Sequence, residues 1–365
     1  MAITRVRLRR GPAGVCGLVP RMSRRFTVLF SLLGSAGGCA ASTPDSSLDS
    51  GAGPAAEPLV VVTFNSGTSE GLGGGEGDNG GYSDAHATLS DDWYGDGLAW
   101  VPAVDATTAF FEAVSPDIVV FQEVFWTGEC PEIPEDAQGD FVCEEWEAGD
   151  PTVAQRVLGP GWQVACHPGH ADKCAAVHER AGRFEGCEDD FCLEGLAGST
   201  VDGCGSGARV GRGVIIRPDG TRLTLVNVHG SSGISGDDQD CRVAQVDQAF
   251  VDLGDGEPAA NGTTNLVLGD LNTDPGRWSS FDPSASRWLD FVGGSHSFRF
   301  HTEVGADAPG SYQGVADIDH VMSDGFSGGC QIAGLDPELS AVIDAVYFDH
   351  RPVVCTLLPQ TSEGS

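Results

Sequence analysis

Lysine is nearly missing from this chain. Lys173 is the only one in 365 residues, and all basic residues together number 20 against 53 acidic ones. The formal net charge is −33. Seven of the arginines crowd into residues 1–38, where no acid occurs, so the rest of the chain sets 13 basic side chains against 53 acidic. Such a surface repels nucleic acid, membrane phosphate and other anions at long range. Affinity built on a basic patch is excluded, and any polyanionic substrate needs bound cations. Long apolar runs are missing too. No later segment reaches 18 uninterrupted apolar residues, so no transmembrane helix is expected. CxxC pairs are absent, which leaves a zinc ribbon without its ligands. No repeat of 20–50 residues is visible.

What is present begins with an address. Arg21 to Arg25 are followed by the short apolar run Phe26–Leu33 and by Gly34-Ser35-Ala36-Gly37-Gly38-Cys39. This is a secretory signal pattern, too short to span a bilayer. Met22 is an alternative start to Met1. Ala36-Gly37-Gly38-Cys39 resembles a bacterial lipobox, with Ala36 in place of the usual Leu. Lipidation at Cys39 and ordinary cleavage near Ala40 are both open. The product is expected outside the cytoplasm, as an outer-membrane or cell-surface lipoprotein or as a periplasmic or extracellular protein. Setting Cys16 and Cys39 aside, the 12 cysteines leave ten, enough for five disulfides in an oxidising compartment. Hairpin neighbours suggest Cys166 with Cys174 and Cys330 with Cys355.

Residues 1–39 are therefore expected to be a signal sequence. Residues 40–58, rich in Ala, Ser, Gly and Pro, read as a flexible tether with a reach of roughly 20–25 Å. The folded domain is expected over 59–358, with a tail at 359–365. Its first buried strand is Leu59–Asn65. Gly71–Ser83 reads as a mobile Gly-rich loop. Gly73–Asp78 is faintly similar to one calcium-binding nonapeptide repeat, but one copy makes no array. A helix is predicted over 102–114 and a strand over Asp117–Glu123. Residues 128–211, with seven cysteines, read largely as surface excursions, with paired strands at Trp162–Cys166 and Lys173–Val177. A hairpin joins Val214–Arg217 to Leu223–His229. Helices follow at Asp238–Leu253 and Ala285–Val292, and strands at Leu266–Leu271, Ile318–Met322, Cys330–Ile332 and Val346–Leu358. Strands outnumber helices, which favours a two-sheet sandwich with helices outside.

Six apolar strands end in polar groups: Asn65; Gln122-Glu123; Asn227-Val228-His229; Gly269-Asp270-Leu271-Asn272; Asp317-Ile318-Asp319-His320; Asp349-His350-Arg351-Pro352. Each alone has a dull explanation as a turn, an edge carboxylate or a core imidazole. Together they make chemical sense. Glu123 and Asp349 offer hard oxygens suited to Mg²⁺ or Mn²⁺. Asn65 supplies a neutral oxygen or orients a water. Asp270 and Asn272, two apart, share a side in extended chain, where one can hold a nucleophilic water while the other donates to a phosphoryl oxygen. His229 and His350 can donate to a phosphate or leaving oxygen, with Asp319 fixing the tautomer of His350.

In this order the six motifs, from Thr63-Phe64-Asn65 to Asp349-His350-Arg351-Pro352-Val353, resemble the endonuclease/exonuclease/phosphatase superfamily over about residues 58–358. The resemblance implies an α/β fold of the deoxyribonuclease-I-like kind. This is a four-layer sandwich of two packed, mainly antiparallel sheets flanked by helices. It implies metal-dependent hydrolysis of phosphoesters by in-line attack of water. Glu123 is then the principal ligand of Mg²⁺ (or Mn²⁺), supported by Asn65 and Asp349. Asp270 activates the water, Asn272 holds the phosphate, His229 stabilises the leaving group, and His350 contacts the phosphate, oriented by Asp319. Gly67 stands where some members place a second polar residue. The carboxylate partner of His229 is not assignable. A secreted, monomeric nuclease is the leading expectation. Its rivals are a sphingomyelinase-like head-group phosphodiesterase, an inositol-phosphate phosphatase and, in another class, an idle surface binding protein. Trp93-Tyr94, Trp126 and Trp146 are the aromatic candidates for a head-group surface.

Overall fold

A computed structural model describes residues 57–69, 81–343 and 346–360. The signal sequence, nearly all of the tether, most of the Gly-rich loop with its repeat-like stretch, and most of the tail lie outside them. In chain order the elements are β1 (Leu59–Asn65), α1 (Asp84–Leu89), α2 (Val101–Val114), β2 (Ile118–Gln122), α3 (Val153–Leu158), β3 (Trp162–His167) and β4 (His170–His178). The short β5 (Arg183–Phe184), β6 (Phe191–Cys192) and β7 (Ala197–Gly198) follow, then β8 (Val210–Ile216), β9 (Arg222–His229) and α4 (Gly236–Phe250). The chain continues through β10 (Asn265–Asp270), α5 (Pro283–Leu289), β11 (Arg299–Phe300), β12 (Asp319–Ser323), β13 (Phe326–Ile332) and β14 (Val353–Pro359).

Two sheets of seven strands result. The first runs β13-β14-β1-β2-β4-β3-β6 and the second β11-β12-β10-β9-β8-β5, with β7 on β8. The pairings are antiparallel except β1/β2 and β3/β6 in the first sheet and β9/β10 in the second. Alternation along each strand divides the apolar side chains between two faces. Val61, Val120, Leu225, Leu268, Val321 and Val353 pack between the sheets. Val62, Phe64, Val119 and Phe121 face outward against α2 and α3. Val226, Val228, Val267 and Met322 face α4 and α5. The molecule is thus helix, sheet, sheet, helix: the four-layer deoxyribonuclease-I-like sandwich expected from sequence.

Several expectations needed correction. Within residues 128–211 the expected strand pair Trp162–Cys166 and Lys173–Val177 is present as β3 and β4, which extend the first sheet beyond β2, whereas β8 begins at Val210, earlier than the expected Val214, and lies inside the second sheet. The glycines and acids of this stretch masked the pattern, and α3 sits among them. The strand expected over Val346–Leu358 begins only at Val353, since Pro352 cannot donate to a ladder and the residues before it form an irregular loop. That loop is anchored by buried Tyr347, whose hydroxyl donates to Gly97 O at 3.0 Å and accepts from Ala99 N at 3.1 Å. The ten cysteines of the domain pair as Cys130–Cys143, Cys166–Cys174, Cys187–Cys192, Cys204–Cys241 and Cys330–Cys355. Both pairs suggested by hairpin position are among them. No helix among the described residues is long and apolar enough to cross a membrane.

Candidate active site

Strand parity gathers the site. On β1, Val61 faces the slot between the sheets, so Asn65, four residues on, does too. The same count carries Val120 to Gln122 on β2, Leu225 to Asn227 and His229 on β9, Leu268 to Asp270 on β10, and Val321 back to Asp319 on β12. Apolar residues therefore fill the slot, and polar ones cap one end of it. Gln122 Nε2 bridges the sheets there, donating to Asn227 Oδ1 at 2.8 Å. The Asn227 amide donates to Phe121 O and Cys174 O, both at 3.2 Å.

Two residues reach this end only by leaving the extended conformation. Glu123 follows β2 with odd parity and would point outward; its φ of 60° turns the carboxylate back into the slot. There its Oε1 lies 3.3 Å from His229 Nε2. Asn272 has φ 50°, so it meets Asp270 across a turn and not along an extended strand. Asn272 N donates to Asp270 Oδ1 at 2.7 Å, and its Nδ2 donates to Asp270 Oδ2 at 2.9 Å and to Gly230 O at 3.0 Å. Both N–H donors of the side-chain amide are thus engaged. Left-handed backbone at non-glycine residues costs energy and collects where function demands it.

The buried Asp270 carboxylate is the hub. Asn65 Nδ2 donates to its Oδ2 at 3.0 Å, while His229 Nε2 and His350 Nε2 both stand 3.8 Å from that oxygen. His350 Nδ1 meets Asp319 Oδ2 at 2.7 Å. Asp319 is itself held from behind, its backbone N donating to Ser311 Oγ at 3.1 Å. Asp349 Oδ1 lies 4.0 Å from His350 Nε2. All eight expected side chains, Asn65, Glu123, His229, Asp270, Asn272, Asp319, Asp349 and His350, therefore meet at one slot end.

The electrostatics are those of crowded carboxylates. Burial pushes Asp270 upward and Asp319 adds to the shift, while the imidazoles oppose it. Burial drives Asp349 to about 7, with Glu123, Asp270 and Asp319 adding to the rise against His350. For Glu123, burial acts upward, but the His229 hydrogen bond and both imidazole charges hold the carboxyl below its usual range. Burial acts downward on His350, and Asp319 and Asp270 overcome it, raising the imidazole to about 10. Asp319 Oδ1 and Asp349 Oδ1 are buried without a hydrogen-bond partner. Orphaned hard oxygens among four carboxylates fit a divalent cation with oxygen ligands. Asp270, Asp319 and His350 also bring one ligand atom each within 4.8 Å of one another. Within that trio, however, Asp319 Oδ2 and His350 Nδ1 are spent on each other. The Glu123–Asp349 side has the freer oxygens.

Gly67 proves to be part of the design. A Cβ there would lie 1.9 Å from Glu123 Oε2, so the Glu123 carboxylate fills the space a larger residue would take. Gly67 N also donates to Asn65 Oδ1 at 3.0 Å. His229 faces Glu123 and Asp270 through Nε2, and its Nδ1 is buried with no partner. His320 is a satisfied core imidazole, bonded to Thr302 Oγ1 at 2.7 Å and Asp317 O at 2.9 Å. Sequence reading missed the Gln122–Asn227 bridge, Ser311 and Tyr312, whose ring packs 4.9 Å from that of His350. Gln122 and Asn227 were legible by parity; Ser311 and Tyr312 lie in an irregular loop with no periodic signal.

No protein-family model matches the sequence, and no curated protein matches it. Among solved structures, the chain is similar to the endonuclease/exonuclease/phosphatase from Beutenbergia cavernae, at TM-score 0.46 and 15% identity over 83% of this chain and 72% of that one. It is similar to truncated TDP2 from Caenorhabditis elegans at TM-score 0.44 and 12% identity, covering 82% and 98% of the two chains. For an AP endonuclease from Archaeoglobus fulgidus the values are 0.41 and 12%, covering 81% and 98%. The sheet order of the chain itself is that of a deoxyribonuclease-I-like α/β sandwich.

Proposed function

We propose that the chain is an exported, metal-dependent phosphodiesterase that directs water in line at phosphorus. The supporting observation is the convergence of Glu123, Asp270, Asp319 and Asp349 with His229 and His350 at one slot end, with no serine or cysteine nucleophile among them. Glu123, Asn65 and Asp349 would hold Mg²⁺ or Mn²⁺. When bound, that cation supplies Lewis-acid stabilisation of charge on the phosphoryl oxygens. Asp270, raised by burial and fixed by Asn65 and Asn272, accepts the proton of the attacking water. Asn272 acts first as the residue that positions Asp270; contact with the phosphate requires it to release Gly230 O or Asp270. Asp319 accepts from His350 Nδ1 and holds the ring as the imidazolium, leaving Nε2–H to donate to the scissile phosphate. His229 stabilises the departing oxygen.

Nucleic acid is the leading substrate expectation, and small phosphodiesters are the rival. The five disulfides support an oxidising, exported setting, and mass spectrometry of the mature N-terminus decides lipidation at Cys39. The test is turnover of duplex DNA, RNA and bis(p-nitrophenyl) phosphate, with Mg²⁺ or Mn²⁺ and again in chelator. Turnover is expected only with the cation. Glu123→Ala and His350→Ala should each lose at least about 100-fold in kcat with the circular dichroism unchanged. Chelator-resistant hydrolysis, or full activity in either variant, overturns the assignment.

A further inference from the structure

One short loop touches both His350 and Asp319. From Gly310 to Ala316 the chain turns back on itself, with Tyr312 N donating to Ala316 O at 2.9 Å. The turn is tight. Gln313 has φ 47° and Gly314 φ 70°, and a Cβ on Gly310 would come 2.7 Å from Val315 N. The loop bonds two arms of the site. Ser311 Oγ accepts from the backbone N–H of Ile318 at 3.2 Å and from that of Asp319 at 3.1 Å. Ser311 O accepts from Arg351 N at 3.0 Å, and Gln313 N donates to Asp349 O at 2.9 Å. Tyr312 stands between these bonds, paired with His350 in an isolated antiparallel bridge. Its ring packs on the imidazole with centroids 4.9 Å apart and planes inclined at 56°. Its hydroxyl lies at the exposed end, accepting from Gln313 Nε2 at 3.0 Å. Tyr312 belongs to none of the three apolar clusters among the described residues, so core packing does not account for its place.

Asp319 alone does not aim the imidazole. A hydrogen bond tolerates roughly 30° of bend, and the second side-chain torsion of histidine is broad. With Nδ1 tethered to Asp319 Oδ2 at 2.7 Å, Nε2 can still swing. A flat ring packed on the imidazole removes that freedom, and aromatic pairs at such a spacing attract. The same ring covers a residue that is only 5% exposed. We propose that Tyr312 is a positioning residue: its ring sets the plane of the His350 imidazole and keeps water from the His350–Asp319 hydrogen bond. The consequence for turnover rests on the phosphodiesterase reading; the contact does not. The hydroxyl has no part in this, since it is turned away to Gln313.

With bis(p-nitrophenyl) phosphate and Mg²⁺, Tyr312→Ala should lower kcat at least about tenfold with KM nearly unchanged, and Tyr312→Phe should recover most of the loss. In a His350→Ala background, Tyr312→Ala should cost less than about twofold more, because the group it positions is gone. Full activity in Tyr312→Ala, equal impairment in Tyr312→Phe, or full additivity with His350→Ala overturns the proposal. The low-field Nδ1–H proton resonance of His350 in metal-free, full-length protein gives a readout without turnover, assigned by its loss in His350→Ala. It should survive in Tyr312→Phe and broaden away by solvent exchange in Tyr312→Ala. A resonance unaltered in Tyr312→Ala, or absent from the wild type, overturns the role of the ring. Tyr312→Thr suits the bridge backbone and lacks the ring, so it takes the place of Tyr312→Ala should that variant not fold, with the same outcomes. If the wild type does not hydrolyse the ester, the hydrolase reading fails, and the resonance still decides what Tyr312 holds.

Discussion

Gly67 shows how a residue without a side chain can set a catalytic one. The Glu123 carboxylate occupies the volume beside its Cα, and Asn65 Oδ1 is held by its N–H. Gly67→Ala would put a methyl group 1.9 Å from Glu123 Oε2, so the carboxylate has to swing away. The expected outcome is a loss of at least about 100-fold in kcat, with the Mg²⁺ requirement shifted to higher concentration, while the thermal midpoint moves little. A magnesium titration of activity in the variant checks this; unchanged half-saturation would mean that Glu123 does not hold the cation. From sequence, the same glycine reads only as a ligand missing from its place. Its meaning depends on a contact 56 positions away along the chain, which no local pattern encodes. Glu123 is similar. Its odd parity predicts a side chain facing away, and only the turn at φ 60° reverses that.

Strands carried more of their role openly. Apolar alternation with period two marks both the inter-sheet face and the residues at its end, so β1, β2, β9, β10 and β12 are legible in the sequence together with their polar caps. The stretch between β2 and β8 was harder, because disulfides and turns there stabilise what periodicity does not announce. Gly269 shows what holds the central pair in register. It lies in β10 opposite Val228, with φ 144°, and a Cβ would come 1.9 Å from Val228 O. The neighbouring residues on these two strands are Asp270 and His229. Gly269→Ala should therefore force β9 and β10 apart, costing about 3 kcal/mol or more in stability. It should also lower kcat, because His229 and Asp270 move relative to each other. Urea unfolding alongside single-turnover kinetics would check it. A variant as stable and active as wild type would mean that close strand approach is not what aligns the pair.

At the scale of the whole molecule the acids are a cost that the site concentrates. Asp317 is pushed up to about 8, chiefly by burial and then by Asp319 and Asp274, and Asp349 to about 7. Unfolded, both carboxyls titrate near 4. Between pH ~4 and ~8 these two carboxyls therefore hold more protons folded than unfolded, and their contribution to stability falls as pH rises through that window; the buried imidazoles His167 and His320, lowered by burial to about 3 and about 4, oppose them only below pH ~6.5. His350 acts in the same direction later. Its folded value of about 10 exceeds an unfolded value near 6.5, so its contribution is complete below pH ~6.5 and is lost as pH rises through about 10. In chelator, the thermal midpoint should be higher at pH 5 than at pH 8. Asp317→Asn should flatten the slope, raising the midpoint at pH 8 by roughly 2–4 °C per kcal/mol recovered. Mg²⁺ should raise the midpoint more at pH 8 than at pH 5, because the carboxylates it neutralises are ionised there. Calorimetric scans of wild type and Asp317→Asn at both pH values, with and without Mg²⁺, separate the terms. A wild type more stable at pH 8 in chelator would show that the clustered carboxyls are not strained by ionisation. Equal Mg²⁺ shifts at the two pH values would place the cation away from Asp349.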